Sequence, residues 1–291
     1  MKKKLFLHIG FHKTGTSALQ EYFAEHRDEL EKTDIFYPKS FQDTFPGNVD
    51  LSWAFNNNPP AWAHPQNMDF MKILEHYRKQ LDETNCDTII ISSEDFALLD
   101  KQIASIEKIK DYFKEFEVKI ITYVREPVDF MLSLYSHAVR AGNIHCSFKS
   151  YIAHHYNFAA ANYPIRLRPW IKVFGKNALI VRKYDKDTFF KGNLLEDFFS
   201  AIEIDIDIQN KIEKSNVGIH PWLIQAYIDI SSSDIDKKKK EKKLNELLQI
   251  GLDLPKENTI KYFLDNHDLA ILNNVYKVSR IKLKRDFGID L

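Results

Sequence analysis

The chain has little that could tie it together covalently. Two cysteines, Cys86 and Cys146, stand among 291 residues, far apart and in no metal-ligand spacing. That argues against a disulfide framework and against a zinc site, and fits a reducing compartment. It also lacks a charge of one sign: Lys plus Arg and Asp plus Glu number 41 each, for a formal net charge of zero. A surface that wraps a polyanion is therefore not expected, and nucleic acid is not an expected partner, although a local basic cleft is compatible with the count. Long apolar runs are missing too, since nothing approaches the roughly 18 residues of a membrane span. The start, MKKKLFLHIGF, imitates a secretory signal, but its apolar run is short, His8 interrupts it and no small-residue cleavage site follows. The expectation is a soluble, cytoplasmic protein whose first strand begins near residue 4, with peripheral contact to a membrane left open.

What is present is a core. Apolar residues make up 44% of the chain, with 21 Phe and 13 Tyr, enough to exclude global disorder. Four short apolar or β-branched runs, Leu5–Ile9, Thr88–Ser92, Lys119–Val124 and Ala178–Arg182, read as strands buried on both faces, the mark of a parallel sheet. Helical spacing lies between them: Leu19, Tyr22, Phe23, His26 and Leu30; then Met71, Leu74, Tyr77, Arg78 and Leu81; then Ile103, Ile106, Ile109 and Phe113. The alternation predicts an α/β fold, a three-layer sandwich with a central, mostly parallel sheet, and ligands at the carboxyl ends of the strands. Residues 1–291 read as a single domain. Within it, 41–68 (rich in Asn, Pro and aromatics) form an irregular excursion of the kind that lines acceptor pockets. Residues 200–291 form a helical part in which the run Lys237–Lys243 is a solvated helix face or loop.

The segment Gly10-Phe11-His12-Lys13-Thr14-Gly15-Thr16-Ser17 follows the first strand. The triphosphatase loop G-x-x-x-x-G-K-[ST] holds phosphates with backbone N–H groups and reaches the last one with its lysine. Here both glycines and the final hydroxyl stand, but Thr16 occupies the lysine position and the lysine has moved to Lys13. The order strand, turn, helix still offers N–H groups and the positive end of a helix dipole to an anion. Lys13 would sit beside the bound phosphate and neutralise the oxygen that bridges it to a leaving group. Loss of the usual metal-holding arrangement predicts chemistry without magnesium. A bare Gly-Thr turn with no ligand is the plain alternative.

KTGTSALQ after an apolar strand resembles the 5′-phosphosulfate loop of the sulfotransferases, [KR]-x-G-[TS]-[TS]-x-L, on a P-loop nucleotide-hydrolase-like fold. The resemblance implies 3′-phosphoadenosine 5′-phosphosulfate as donor, adenosine 3′,5′-bisphosphate as product and no metal requirement. It gives Lys13 the 5′-phosphate and the bridging oxygen, and places Thr14, Gly15, Thr16 and Ser17 around the same phosphate. A second signature lies about 110 residues on. In YVREPVDFMLSLY, a strand ends at Arg125, a helix starts through Pro127, and Ser133 follows. A guanidinium and a hydroxyl so spaced can converge on one anion, and the pattern resembles the family's 3′-phosphate motif. Weaker echoes are ALIVRKYDKD (178–187) and Lys214–Gly218. The Arg-Lys-Gly closing motif of aryl sulfotransferases is absent.

Transfer to an alcohol needs a general base within reach of the hydroxyl. Glu94, closing the run TIIISSED, is one candidate, with helix capping as its alternative. His12, beside Lys13 in the loop, is the other. His64 and His137 are lesser candidates. The loop style with SSE and YVREP resembles bacterial enzymes of carbohydrate sulfation, which implies a sugar or glycolipid hydroxyl as acceptor. Trp53, Phe55 and Trp62 would stack on sugar faces or belong to the core. Two other functions fit parts of the pattern: a small-molecule kinase or ATPase, from the acidic end of an apolar strand, and a nucleotide-binding regulator without catalysis.

Overall fold

The computed structural model describes residues 2–58, 69–153, 159–205, 219–254 and 263–291. These group into two compact units, 1–124 with 164–214 and 125–163 with 215–291, where the sequence reads as one domain.

The first unit is built on a five-stranded, wholly parallel sheet in the order β2-β3-β1-β4-β5. Its strands are β1 (Lys4–His8), β2 (Ile35–Phe36), β3 (Thr88–Ser92), β4 (Glu117–Val124) and β5 (Leu179–Lys183). Four of them match the apolar runs to within two residues, because a parallel strand covered on both faces has almost no polar position. β1 is central: Leu7 pairs with Ile91 on one side and Ile120 on the other. Between the strands run α1 (Thr16–Glu25), α2 (Arg27–Lys32), α3 (Val49–Phe55), α4 (Phe70–Glu83) and α5 (Ile103–Tyr112). α4 starts where Asp69 accepts from the N–H groups of Met71 and Lys72, as an N-cap acid should.

On one face of the sheet, Phe6, Ile90, Ile121 and Tyr123 pack with Leu19 and Phe23 of α1 and with Leu195, Phe198 and Phe199. Phe23 and Phe198 are wholly buried, each contributing about 1.5–3 kcal/mol by burial alone. Asp197, also buried, ties this layer to the sheet by accepting from Tyr123 Oη at 2.8 Å, from Phe190 N–H at 3.0 Å and from Arg182 Nε at 3.1 Å. The stretch 41–68 departs from the expected irregular excursion where it is described, for α3 is a regular helix with Trp53 and Phe55 in the core. Trp62 and His64 lie outside the described residues, as does Lys214–Gly218.

The second unit is helical. α6 (Pro127–Arg140) begins at Pro127, with Glu126 capping the N–H of Val128. α7 (Phe148–Ala153) follows, α8 (Tyr163–Phe174) leads back to the first unit, where α9 (Leu194–Ala201) lies, and α10 (Ile224–Ser232), α11 (Lys237–Asp253) and α12 (Asn266–Phe287) complete the chain. Arg280 of α12 grips Glu126, with Nη2 at 2.6 Å from Oε1 and Nε at 3.2 Å from Oε2. A capping box at Asp265 and Asp268 starts α12, and Gly288 at φ 71° ends it, the conformation glycine adopts most readily. Lys237–Lys243 is the start of α11, capped by Asp236 and exposed except at Lys240, which is half-buried. No helix among the described residues is long and apolar enough to cross a membrane.

His8 is wholly buried at the end of β1, where Nδ1 meets Ser92 Oγ at 2.8 Å and Nε2 has no hydrogen-bond partner among the described residues. Burial holds its pKa down to about 3. The unfolded chain therefore binds a proton below the ordinary histidine value that the folded chain refuses. Stability is lost as pH falls from about 6.5, at about 1.4 kcal/mol per unit. Urea titrations should show a His8 contribution of about 2 kcal/mol lost between pH 7 and pH 5, a component that His8→Phe removes.

Candidate functional site

The loop after β1 is held by continuation of the sheet. Ile9 N–H donates to Ile121 O at 3.0 Å, and Tyr123 N–H to Gly10 O at 3.1 Å. The Thr122 hydroxyl donates to the same Gly10 carbonyl. Gly10 has φ 90°, and a Cβ there would come within 2.9 Å of Glu94 Cα. The first glycine thus exists because the end of β3 lies against it. Phe11, next in the chain, carries the Arg166 guanidinium 4.4 Å above its ring. Arg166 is fixed in turn by Asp100 (Nε to Oδ2, 2.8 Å) and by the Ala97 carbonyl (3.0 Å).

Beyond Phe11 the chain turns twice through left-handed conformations, at Lys13 (φ 61°) and Gly15 (φ 79°). Glycine tolerates this, whereas a lysine does so at a cost of about 1–2 kcal/mol. The Thr14 side chain is buried and its hydroxyl donates to Phe11 O, so Thr14 braces the loop and can offer an anion only its N–H. Gly15 stands at the N-cap of α1 and no side chain caps that helix. The first intrahelical bond runs from Leu19 N–H to Gly15 O at 3.2 Å, so the N–H groups of Thr16, Ser17 and Ala18 have no acceptor within the helix. Thr16 is buried, while Lys13 and Ser17 are half-buried. Here an anion would complete the helix end, with Lys13 beside it.

Two acids meet this loop from the end of β3. Ser93 N–H donates to His8 O at 3.0 Å, and a 3-10 turn follows over Glu94–Lys101, in which the Ser93 hydroxyl caps Asp95 N–H. Glu94 is half-buried and accepts from Gln20 Nε2 at 2.8 Å. The same Gln20 amide lies 3.3 Å from Ser92 Oγ, the hydroxyl that meets His8.

Asp95 was not singled out from the sequence, yet it is the more deeply placed acid, only 2% exposed. Its Oδ2 accepts from Trp53 Nε1 at 2.7 Å, and its Oδ1 lies 3.6 Å from His12 Nε2. Burial, outweighing the Trp53 bond and aided by the Glu94 charge, pushes its pKa up to about 6. Trp53, one of the candidate sugar-stacking residues, is therefore a buried donor to Asp95. The adjacency of Glu94 and Asp95 is visible in the sequence. Which of the two turns inward depends on a tryptophan 42 positions upstream, and no local signal carries that.

Arg125 and Ser133 belong to the second unit. Arg125 follows the last residue of β4, is half-buried, and its N–H donates to Tyr163 Oη at 3.3 Å. Ser133 is half-buried on α6, and His137, one turn on, is exposed. Among the described residues no cluster of three or more His, Cys, Asp or Glu is placed to hold a metal ion.

No protein-family model matches the chain. An uncharacterized protein of Archaeoglobus fulgidus is 27% identical over 202 residues, 68% of this chain and 53% of that one. The chain thus spans about half the length of this curated relative. Among solved structures, the crystal structure of a sulfotransferase from Alicyclobacillus acidocaldarius is similar over 86% of this chain and 97% of that chain, with a TM-score of 0.49 and 16% identity.

The two left-handed positions should respond oppositely to substitution. A Cβ on Gly15 would stand 2.3 Å from Leu194 Cδ2 and 3.0 Å from Tyr184 Cε2. Overpacking and the strained φ together should cost Gly15→Ala about 1–3 kcal/mol. Lys13→Gly instead relieves a strained residue and should leave the thermal midpoint at or above that of the parent. Differential scanning calorimetry of the two variants checks both signs.

Proposed function

We propose that the chain is a sulfotransferase that moves a sulfuryl group from 3′-phosphoadenosine 5′-phosphosulfate to a hydroxyl group. One observation carries this reading: the uncapped start of α1, entered through Gly15, with a lysine inside the turn rather than at its end. A triphosphatase lysine on the first helical turn reaches the terminal phosphate. A lysine three residues earlier stands beside the first phosphate and the oxygen that leaves from it.

On this reading the N–H groups of Gly15, Thr16 and Ser17, with the Ser17 hydroxyl, hold the 5′-phosphate. Lys13 neutralises the bridging oxygen as charge develops there. Arg125 clamps the 3′-phosphate through paired guanidinium N–H groups and Ser133 adds a hydrogen bond. Thr14 shapes the loop. In-line sulfuryl transfer, like phosphoryl transfer, depends chiefly on positioning and charge stabilisation, and these residues supply both without a metal. The acceptor class we assign is a sugar or glycolipid hydroxyl, following the resemblance of the loop, SSE and YVREP segments to bacterial carbohydrate sulfotransferases. Trp53 and Phe55 are core residues and take no part in it.

The test is transfer of labelled sulfate from the donor, without magnesium, to a panel of glycosides. Lys13→Ala should lower turnover about 10²–10³-fold, the usual loss when a donor to developing charge is removed, while Lys13→Arg retains part of it. Magnesium-dependent ATP turnover by the parent chain, with no sulfate transfer, would sink the reading in favour of a kinase or ATPase. Tight binding of adenosine 3′,5′-bisphosphate without transfer to any acceptor would instead mark a regulator.

A further inference from the structure

The sulfotransferase reading leaves the general base undecided between Glu94 and His12, and the surroundings of the two differ. The Glu94 carboxylate already accepts a hydrogen bond from Gln20 at 2.8 Å. Gln20 is itself enclosed, since a Cβ on Gly47 would lie 2.5 Å from its Oε1. Such a carboxylate is suited to hold and orient a hydroxyl. The His12 side chain is 29% exposed, whereas that of Asp95 behind it is 3% exposed. A partly exposed imidazole backed by a buried carboxylate is the arrangement that makes a histidine an effective base.

We propose that His12 is the general base of the transfer and that Asp95, held by Trp53, is its positioning residue. The inference rests on the sulfotransferase reading and deepens it. Asp95 takes the Nε2 side of the ring at 3.6 Å, a separation that tightens when a bound acceptor orders the ring. Nδ1 is then the basic nitrogen. It removes the acceptor's O–H proton as the acceptor oxygen forms its bond to sulfur. The electron pair of the breaking S–O bond remains on the bridging oxygen, where Lys13 balances it. The products are a sulfate ester, adenosine 3′,5′-bisphosphate and an imidazolium, which passes its proton to water. Asp95 steadies that imidazolium by charge without itself being protonated.

Charged groups near His12 among the described residues include Asp95, in contact with it, Glu94 next to Asp95, Lys13 beside it in the chain, and Arg166 over the neighbouring Phe11 ring and paired with Asp100. Asp95 supplies the nearby negative charge that Asp95→Asn removes with little change of shape. Trp53 holds Asp95 from α3, with Ser52 Oγ of the same helix 3.2 Å from Ser93 Oγ. The excursion between β2 and α4 thus contributes the anchor of the catalytic pair.

The experiment follows the His12 imidazole by NMR in the full chain labelled with ¹⁵N-histidine and loaded with adenosine 3′,5′-bisphosphate, its signal assigned by loss in His12→Asn. Asp95→Asn should lower the His12 pKa by about one unit or more, shift the acidic limb of the labelled-sulfate transfer rate by the same amount, and leave bisphosphate affinity within twofold. Trp53→Phe, which keeps the carboxylate but loosens it, should reduce kcat with a smaller pKa shift. A His12 pKa unmoved by Asp95→Asn in a chain that still binds bisphosphate would overturn the pairing. A pH–rate limb that survives in His12→Asn and disappears in Glu94→Gln would overturn the base assignment. Failure of the parent chain to bind bisphosphate would overturn the sulfotransferase reading and the base role with it, a result distinct from either of these.

Discussion

The hydrogen-bond ladder of β1 does not stop where the strand stops, and the site depends on that. Past His8 the ladder runs on through Ile9 N–H to Ile121 O and Tyr123 N–H to Gly10 O on the β4 side. On the β3 side it runs on through Ser93 N–H to His8 O. The phosphate-loop candidate is therefore bonded at its first residue to β4, and the chain two residues before it to the end of β3. Close approach of Gly10 to Glu94 Cα brings the acidic end of β3 against the same turn. A side chain at residue 10 would collide with Glu94 and push the loop away from the acids.

This rigidity permits the left-handed Lys13. A strained residue persists only where its surroundings over-determine it, and the surroundings here are specific. Thr14 is bonded back to Phe11, Arg166 covers the Phe11 ring, and Gly15 is packed under Leu194 and Tyr184. α9, which carries Leu194, is in turn fastened to the sheet by the Asp197 bonds to Tyr123 and Arg182. Packing of one helix on the sheet and the direction of one lysine are thus parts of the same arrangement.

Much of this was legible in the sequence, for identifiable reasons. Strands buried on both faces leave apolar runs, so β1, β3, β4 and β5 could be read directly. Pro127 marks a helix start by its own chemistry. β2 is only two residues long and leaves no pattern. α3 was hidden because its partners are scattered: Trp53 pairs with Asp95, and Asp50 accepts from Tyr77 at 2.7 Å. The inward turn of Asp95 leaves no local pattern for a related reason. Two adjacent acids at a strand end look equivalent until a 3-10 turn and a distant indole select one for burial.

That selection bears on the chemistry. A carboxylate that receives a hydrogen bond from an amide and one that receives it from an indole in the core are not interchangeable. Glu94, half-buried and bonded to Gln20, keeps a second oxygen for a ligand. Asp95 has one oxygen on Trp53 and the other toward His12, so little is left for solvent or substrate. Burial raises its pKa to about 6, which weakens its negative charge below that pH but strengthens each interaction it makes above it. The same carboxyl would stabilise an imidazolium poorly in acid and well near neutrality, where a histidine base must also be deprotonated between turnovers.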